Sequence, residues 1–225
     1  MSDALAFDVY GTLLDLNALL KPVGAALGDP DQAHAFLSAW RRTQIEYAIR
    51  RAAMRTYEDF PTCSRQALDF TNRSLRAGLS EQDQQKLLDA QNHLPAYPDA
   101  AGGLESLKSA GLHLLAFSNG PRKVLEPLLD QAGLLSRFDG LVSADEVKTF
   151  KPAPEVYEHL VQSAQRPKAE VWLISSNPWD VLGARFAGLR TAWVRRSEDE
   201  VFDPWELEPE LTVSSINELA PALCA

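Results

Sequence analysis

The sequence predicts an α/β fold in which a Rossmann-like parallel sheet core carries an inserted helical cap subdomain. Short, nearly continuous apolar runs alternate with stretches of helical periodicity, which is typical of a parallel sheet covered by helices on both faces. A long segment without a clear strand separates the first run from the second. The chain of 225 residues is long enough for one such core with one insertion.

Five apolar runs are the predicted strands of the core. They lie at residues 5–7, 112–117, 141–142, 171–174 and 191–194. Stretches of helical periodicity fill the gaps between them, for example at residues 98–111, 121–133 and 179–188. We therefore expect a core domain formed by residues 1–14 and 98–225.

The first gap is too long for a single crossover helix, and we interpret residues 15–97 as the helical cap subdomain. One stretch in it places apolar residues at helical spacing, namely Leu37, Trp40, Tyr47 and Ala48. Pro95 and Pro98 mark the return to the core. Ligands of open α/β sheets bind beyond the carboxyl ends of the strands, so a cap inserted after the first strand is expected to cover that site.

Composition restricts the classes of partner. The net charge is −9, from 22 basic and 31 acidic residues, which argues against nucleic acid and anionic membranes because both bind through an excess of Lys and Arg. No apolar run approaches the ~20 residues of a membrane helix, and the start of the chain does not read as a signal peptide. Cys63 and Cys224 form no CxxC motif, so we expect two free thiols in a reducing cytosol.

Polar residues stand where three of the predicted strands end. They are Asp8, the pair Ser118-Asn119, and the group Ser175-Ser176-Asn177 with Asp180. Lys151 precedes Pro152, which we expect to open a helix. Each residue alone has an ordinary structural explanation, as a turn former or a solvated side chain. Because the carboxyl ends of parallel strands meet at one edge of the sheet, their joint occurrence predicts a functional site there.

Four motifs in this order resemble the haloacid dehalogenase superfamily. They are Phe-Asp-Val-Tyr-Gly-Thr-Leu at 7–13, Phe-Ser-Asn-Gly at 117–120, Lys-Pro at 151–152 and Ser-Ser-Asn-Pro-Trp-Asp at 175–180. The resemblance covers nearly the whole chain. Phosphatases of this superfamily carry a second aspartate two residues after the first, and they hold magnesium with acidic residues of the last motif.

This chain departs from the phosphatase pattern in both places. Tyr10 occupies the second aspartate position, and Ser176 and Asn177 stand where metal-dependent members often have Gly-Asp. Only Asp180 remains acidic in the last motif, and Lys151 is a competing cation. Magnesium prefers several oxygen ligands, usually carboxylates. We therefore expect no metal and no other cofactor.

At these motif positions the sequence is similar to the L-2-haloacid dehalogenase (type II) branch. That branch shows Asp-x-Tyr-Gly-Thr and a cap helix with Trp-Arg-x-x-Gln-x-Glu-Tyr, which this chain matches at 40–47. The resemblance implies a hydrolase that converts small (S)-2-haloacids to (R)-2-hydroxyacids and halide. Asp8 would attack C2, and water would hydrolyse the resulting aspartyl ester. Members are commonly homodimers, so the resemblance also implies a homodimer.

The resemblance assigns roles to individual residues. Lys151 would keep Asp8 ionised and Thr12 would orient it, while Asp180 would fix Lys151 and, with Ser176 and Asn177, position the hydrolytic water. Arg41 would reach from the cap to the departing halide, and Ser118 with the backbone at Asn119 would bind the substrate carboxylate. The remaining substrate contacts would come from Val9, Tyr10, Phe60 and Trp179, and support from Ser175 and Tyr157.

Three residues depart from the branch pattern in the predicted cap helix. Arg42 follows the halide arginine where a neutral residue is expected, and Ile49-Arg50 replace a bulkier apolar pair. If they face the pocket, the preferred haloacid would differ from that of typical members. Two other functions remain open, namely a superfamily phosphatase acting on a small phosphorylated metabolite and a non-catalytic binding protein that kept the fold.

Overall fold

The computed structural model describes residues 3–223, which build a six-stranded, fully parallel sheet. The strands lie in the order β3-β2-β1-β4-β5-β6. Their bounds are β1 Ala4–Asp8, β2 His113–Ser118, β3 Gly140–Ser143, β4 Val171–Ser175, β5 Arg190–Val194 and β6 Leu211–Val213. This arrangement confirms the predicted parallel α/β core.

Helices surround the sheet and fill the segment between its first two strands. Their bounds are α1 Leu20–Leu27, α2 Ala33–Met54, α3 Phe60–Ser74, α4 Glu81–Gln91, α5 Ala100–Ser109, α6 Arg122–Gln131, α7 Pro154–Ala164, α8 Pro178–Phe186 and α9 Leu219–Leu223. Short 3-10 turns occur at Leu16–Leu19, Pro30–Gln32, Leu135–Arg137, Ala144–Val147, Lys168–Glu170 and Ile216–Glu218. Within residues 3–223, no helix is both long and apolar enough to cross a membrane.

Strand β1 lies in the middle of the sheet and is buried on both faces. Its alternate side chains divide between two cores: Leu5 and Phe7 pack with leucines of α5 and α6, whereas Ala4 and Ala6 pack against α7 and α8. This is why the strand reads as an unbroken apolar run rather than an alternating one. Asp8 therefore lies at the carboxyl edge of the sheet, at the end of a strand that is buried along its whole length.

Helices α1 to α5 lie between β1 and β2 in the chain, and α2 and α3 pack closely against each other. The chain leaves and re-enters the core through two paired segments. The amide of Asp15 donates to the Pro95 carbonyl at 2.9 Å, and the amide of Tyr97 donates to the Leu13 carbonyl at 2.9 Å. We call these paired segments, residues 13–15 and 95–97, the connecting ribbon.

Two sequence-based expectations differ from the structure. Strand β6 is not among the five predicted strands, because Leu211–Val213 is a three-residue edge strand in which Val213 alone is buried. The expected helix opening at Pro152 is wrong. Helix α7 begins at Pro154, and residues 151–153 form a turn that brings Lys151 inward.

Candidate active site

The Asp8 carboxylate is the centre of a buried group of hydrogen-bond donors at the carboxyl edge of the sheet. Its Oδ2 accepts from Thr12 Oγ1 at 2.9 Å and from Asn177 Nδ2 at 2.8 Å. Its Oδ1 accepts from Lys151 Nζ at 3.1 Å. Asp8 itself is only 6% exposed. Three donors on two oxygens hold the carboxylate in one orientation, while Oδ1 keeps more free acceptor capacity than Oδ2.

Lys151 is a fully buried ammonium with three acceptors. Besides Asp8, Nζ donates to Asp180 Oδ2 at 2.9 Å and to the Phe117 carbonyl at 3.1 Å. It also lies 4.1 Å from the centroid of the Phe117 ring. Burial favours the neutral amine, but the carboxylates of Asp180 and Asp8 outweigh it and raise the pKa of Lys151. The lysine therefore stays charged beside Asp8.

Asp180 is held by a second buried partner on its other oxygen. The hydroxyl of Tyr157 donates to Asp180 Oδ1 at 2.7 Å. Burial raises the pKa of Asp180, and the positive charge of Lys151 opposes that shift. Burial also raises the pKa of Tyr157, so its phenol remains a donor. The sequence predicted this supporting hydrogen bond only through the family resemblance.

Gly183 in α8 makes room for that tyrosine. A Cβ atom at position 183 would lie 2.5 Å from Tyr157 Oη and 2.7 Å from Pro152 Cβ. Both distances are shorter than any normal contact, so a side chain here would displace the phenol that holds Asp180.

We predict that Gly183→Ala lowers the free energy of unfolding by about 1–3 kcal/mol, because the added methyl overpacks a buried contact. Gly102→Ala in α5 is the matched control, since its nearest non-local neighbour is Asn217 Oδ1 at 3.5 Å. Alanine should be neutral or mildly stabilising there, as it favours helix over glycine. Urea titrations of the two variants and the wild type measure these differences in the free energy of unfolding. Equal stability of the two variants would contradict this account of Gly183.

The loop after β2 carries Ser118 and Asn119, and both side chains are engaged with backbone. Asn119 Oδ1 accepts from the Lys151 amide at 2.8 Å, which fixes the turn that points the lysine inward. Ser118 Oγ accepts from the Gly120 amide at 3.2 Å. Helix α6 begins only at Arg122, so residues 118–120 form a tight loop before it.

The loop after β4 packs against the loop after β1. The Ser176 amide donates to Thr12 Oγ1 at 2.8 Å, and the Asn177 amide donates to Ser175 Oγ at 3.1 Å. Ser176 Oγ lies 3.1 Å from Thr12 Oγ1. Thr12 therefore joins the two loops and at the same time contacts Asp8.

Arg41 reaches this site from helix α2. Its Nη2 lies 3.4 Å from the Tyr10 carbonyl, whereas Nη1 is buried and has no hydrogen-bond partner. Burial lowers the pKa of Arg41, and the charge of Asp8 opposes that shift. Arginine stays protonated in proteins. The site thus contains a buried cationic donor that has no hydrogen-bond partner for Nη1 among residues 3–223 and that interacts electrostatically with Asp8.

Two cavities adjoin the site. The larger, of about 520 Å³, is lined by groups that include Arg41, Asn177, Trp179, Tyr97 and Arg196. The smaller, of about 190 Å³, lies between α3, α4 and the loop before α6, and its walls include Tyr10, Phe60 and Gln91. Tyr10 and Phe60 stack at 6.3 Å between ring centroids.

The remaining predicted residues are distributed as follows. Val9 has a buried side chain, and its carbonyl accepts from the Leu13 and Leu14 amides, both at 3.0 Å. It is not a wall of either cavity. Arg42, Ile49 and Arg50 are exposed on α2 and do not line the cavities, so the departures from the branch pattern lie away from the site. Cys63 is a free, buried thiol, and Cys224 lies outside the described residues.

Two features of the site were not found by sequence reasoning. The first is a buried polar group linking α2, α3 and α4, in which Gln44 and Gln91 both bond to Ser64 at 2.7 Å. The second is Arg196, at the end of β5, which contacts the loop after β1. Gln44 lies inside the cap motif, which could have indicated the first. The position of Arg196 beyond a strand end was its only indication.

The donor set of the site does not suit a metal ion. Among residues 3–223 there is no group of three His, Cys, Asp or Glu side chains placed to hold one. The two carboxylates present, Asp8 and Asp180, both bind the Lys151 ammonium. A divalent cation there would have to compete with that buried charge.

Comparison with known proteins gives consistent matches. The sequence model of the haloacid dehalogenase-like hydrolase family matches residues 2–188. An (S)-2-haloacid dehalogenase of Pseudomonas sp. strain YL is 34% identical, covering 94% of this chain and 90% of that protein. (S)-2-haloacid dehalogenase 1 of Pseudomonas sp. strain CBS-3 is 39% identical, covering 86% and 84%.

A solved structure extends the likeness to three dimensions. The L-2-haloacid dehalogenase of Xanthobacter autotrophicus, with chloropropionic acid covalently bound, superimposes with a TM-score of 0.91. It is 30% identical, and the match covers 100% of this chain and 99% of that one.

Proposed function

The chain belongs to the haloacid dehalogenase-like hydrolases, and from this premise we propose that it hydrolyses small (S)-2-haloacids to (R)-2-hydroxyacids and halide. In this proposal Asp8 is the nucleophile, the intermediate is an aspartyl ester, and no metal takes part. One observation supports it above all. A buried carboxylate with a free acceptor site on Oδ1 shares the site with Arg41, whose buried Nη1 has no hydrogen-bond partner in the described part of the chain.

The first step needs a nucleophile and a place for the leaving charge. Asp8 Oδ1 attacks C2 of the haloacid, a C–O bond forms, and the C–halogen bond breaks with its electron pair leaving on the halide. Halide needs no proton, so the tyrosine at position 10, where phosphatases have an acid, is no obstacle. Arg41 Nη1 supplies the hydrogen bond to the developing negative charge. Attack from the side opposite the halogen inverts C2.

The second step releases the product from Asp8. Water adds to the Asp8 acyl carbon and gives a proton to Asp180. The bond between that carbon and Oδ1 then breaks, and Oδ1 leaves as the 2-hydroxyl oxygen of the product, which takes up the proton. Oδ2 carries the transient negative charge, and Thr12 and Asn177 already donate to that oxygen. Asp180, whose pKa burial raises, is the proton acceptor that we assign to this step. We assign Asn177 to holding Asp8 as well as to orienting the water.

The substrate's remaining groups are assigned to the surrounding loops and helices. We place its carboxylate at Ser118 and the backbone of Asn119, in the loop before α6. Tyr10, Phe60 and Trp179 form the wall that excludes bulk water. In this arrangement residues 15–97 act as a cap over the core formed by residues 1–14 and 98–225, and α2 brings Arg41 to the site.

We predict that Arg41→Ala lowers kcat/KM for (S)-2-chloropropionate about 100-fold or more, because a donor to the developing charge is lost. Arg42→Ala is the matched control, as it removes a neighbouring but exposed arginine of the same helix. It should stay within about 2-fold of wild type. Thermal unfolding of both variants checks that the cap helix is intact. Equal rates for the two variants would remove Arg41 from the mechanism.

Halide release from each enantiomer of 2-chloropropionate, with EDTA present, tests the proposed function. An aryl phosphate with magnesium is assayed in parallel. We expect halide from the (S) enantiomer alone, at a rate that EDTA does not change. Phosphate release that requires magnesium, without halide, would replace the proposal with a phosphatase. Turnover of neither substrate would favour a non-catalytic protein.

A further inference from the structure

Arg196 and its ion-pair partner Asp99 connect separate parts of the chain next to the site. Its Nη2 donates to the Thr12 carbonyl at 2.5 Å, and its Nη1 donates to Asp99 Oδ2 at 2.7 Å. The guanidinium also covers the ring of Tyr97, 4.1 Å from the centroid. Asp99 Oδ2 accepts in addition from Ser215 Oγ at 2.9 Å and from the Ile216 amide at 2.7 Å.

These contacts meet at the connecting ribbon. Thr12 directly precedes the outgoing segment, 13–15, and Tyr97 belongs to the returning segment, 95–97. Arg196 is thus bonded to the residue just before the outgoing segment and stacked on a residue of the returning segment. The ion pair with Asp99 is mostly shielded, with 11% and 13% of the two side chains exposed. A shielded, multiply bonded pair holds geometry better than a solvated one.

Thr12 links this pair to the nucleophile. Its carbonyl accepts from Arg196, while its hydroxyl donates to Asp8 Oδ2 and accepts from the Ser176 amide. A shift of the Thr12 backbone would therefore move the hydroxyl that orients Asp8. An error of about 1 Å at such a position is enough to cost on the order of 100-fold in rate.

We propose that Arg196 is a positioning residue of the reaction: held by Asp99, it fixes the Thr12 backbone and the connecting ribbon, and so sets the orientation of Asp8. This inference rests on the proposed function, in which Asp8 is the nucleophile. Arg196 lines the larger cavity but uses both terminal nitrogens on the protein itself. Its Nε is buried and has no hydrogen-bond partner among residues 3–223, so the separate effects on kcat and KM distinguish positioning from substrate contact.

The test compares Arg196→Met with Arg190→Met. Arg190 is a close match, since it also stacks on an aromatic ring, that of Trp172 at 3.9 Å, and pairs with Glu210 at 2.9 Å. It lies at the opposite end of β5, away from the site. We expect Arg196→Met to lower kcat for (S)-2-chloropropionate about 10- to 100-fold with KM within about 3-fold of wild type. Arg190→Met should retain both constants within about 2-fold.

Arg196→Lys adds a conservative comparison. A lysine keeps the charge but offers a point donor instead of a fork, so it can satisfy Asp99 or the Thr12 carbonyl but not hold both in the same geometry. We expect it to recover part of the lost kcat. A rise in KM at unchanged kcat for Arg196→Met would overturn the proposal and make Arg196 a substrate contact. Equal losses of kcat in the two methionine variants would also overturn it.

Amide hydrogen exchange separates this inference from the proposed function. In Arg196→Met, peptides covering residues 12–15 and 95–99 should exchange about 10-fold faster than in wild type, whereas Arg190→Met should leave them unchanged. Unchanged exchange in Arg196→Met would overturn the proposed role even if activity fell. If the wild type released no halide, the proposed function would fail, and the exchange comparison would still decide whether Arg196 fixes the ribbon.

Discussion

Asp8→Asn is expected to abolish halide release, with a loss of at least about four orders of magnitude in kcat. An amide has neither the charge nor the nucleophilicity of a carboxylate, and no other carboxylate at the site can replace it. Asp180 is fully buried and engaged on both oxygens by Lys151 and Tyr157. Halide-electrode assays over a wide range of enzyme concentration would set the upper limit on the residual rate.

The fold should survive this substitution. Asparagine has the shape of aspartate, and its oxygen can accept from Thr12 and Asn177 as Oδ2 does now. Lys151 would keep Asp180 as an ionic partner. Near-ultraviolet circular dichroism checks the packing, and mass spectrometry checks that asparagine 8 has not deamidated to the wild type. Activity at a sizeable fraction of wild type in verified Asp8→Asn would exclude Asp8 as nucleophile.

Lys151→Met is expected to abolish activity and to destabilise the fold by about 3–5 kcal/mol at pH 8. Removing the ammonium leaves the carboxylates of Asp8 and Asp180 buried together without a counter-charge. Lys148→Met is the matched control. That lysine pairs with Asp145 at 3.1 Å, but its side chain is 64% exposed, so its loss should cost less than about 1 kcal/mol.

The loss of stability in Lys151→Met should shrink as the pH falls. Burial raises the pKa of Asp180 even with Lys151 present, and without the lysine that shift should grow. A carboxyl whose pKa is raised on folding stabilises the folded state at low pH and loses that effect as pH rises through the folded pKa. Lys151 itself stays protonated, folded or unfolded, from pH 5 to 8, because its pKa is raised above an already high value.

Urea titrations at pH 5 and pH 8 measure this effect. The difference in unfolding free energy between wild type and Lys151→Met should be smaller at pH 5, because protonation of Asp180 relieves the buried repulsion. The Lys148→Met difference should change little over the same range. A Lys151→Met difference that is constant or larger at pH 5 would contradict the coupling of these buried groups.

The position of Asp8 was predictable because the apolar run that ends at it indicates a buried strand. A run of apolar residues that is buried on both faces must be a central parallel strand, and the first polar residue after it must lie at the carboxyl edge. The ends of β2 and β4 follow by the same argument. Predicting which polar side chains surround Asp8 required the family resemblance, because sequence spacing alone does not show that Lys151 contacts Asp8.

Other features have no local pattern that reveals them. The pairing of Arg196 with Asp99 joins residues 97 positions apart in the chain, and an arginine after a strand is usually solvated. The buried bonds among Gln44, Ser64 and Gln91 likewise depend on how three helices pack. The start of α7 was misplaced because two prolines, Pro152 and Pro154, both suit a first helical turn, and only the tertiary position of Lys151 selects the second.

The most direct test of the central claim is a single turnover of (S)-2-chloropropionate in water labelled with the heavy oxygen isotope, with enzyme in excess over substrate. If Asp8 forms an ester that water opens at the acyl carbon, the 2-hydroxyacid carries an unlabelled hydroxyl oxygen and the peptide containing Asp8 gains the label. Mass spectrometry measures the isotope content of the product and of the peptide. Label in the product hydroxyl and none in the Asp8 peptide would mean that water attacks C2 directly, and would contradict Asp8 as the nucleophile.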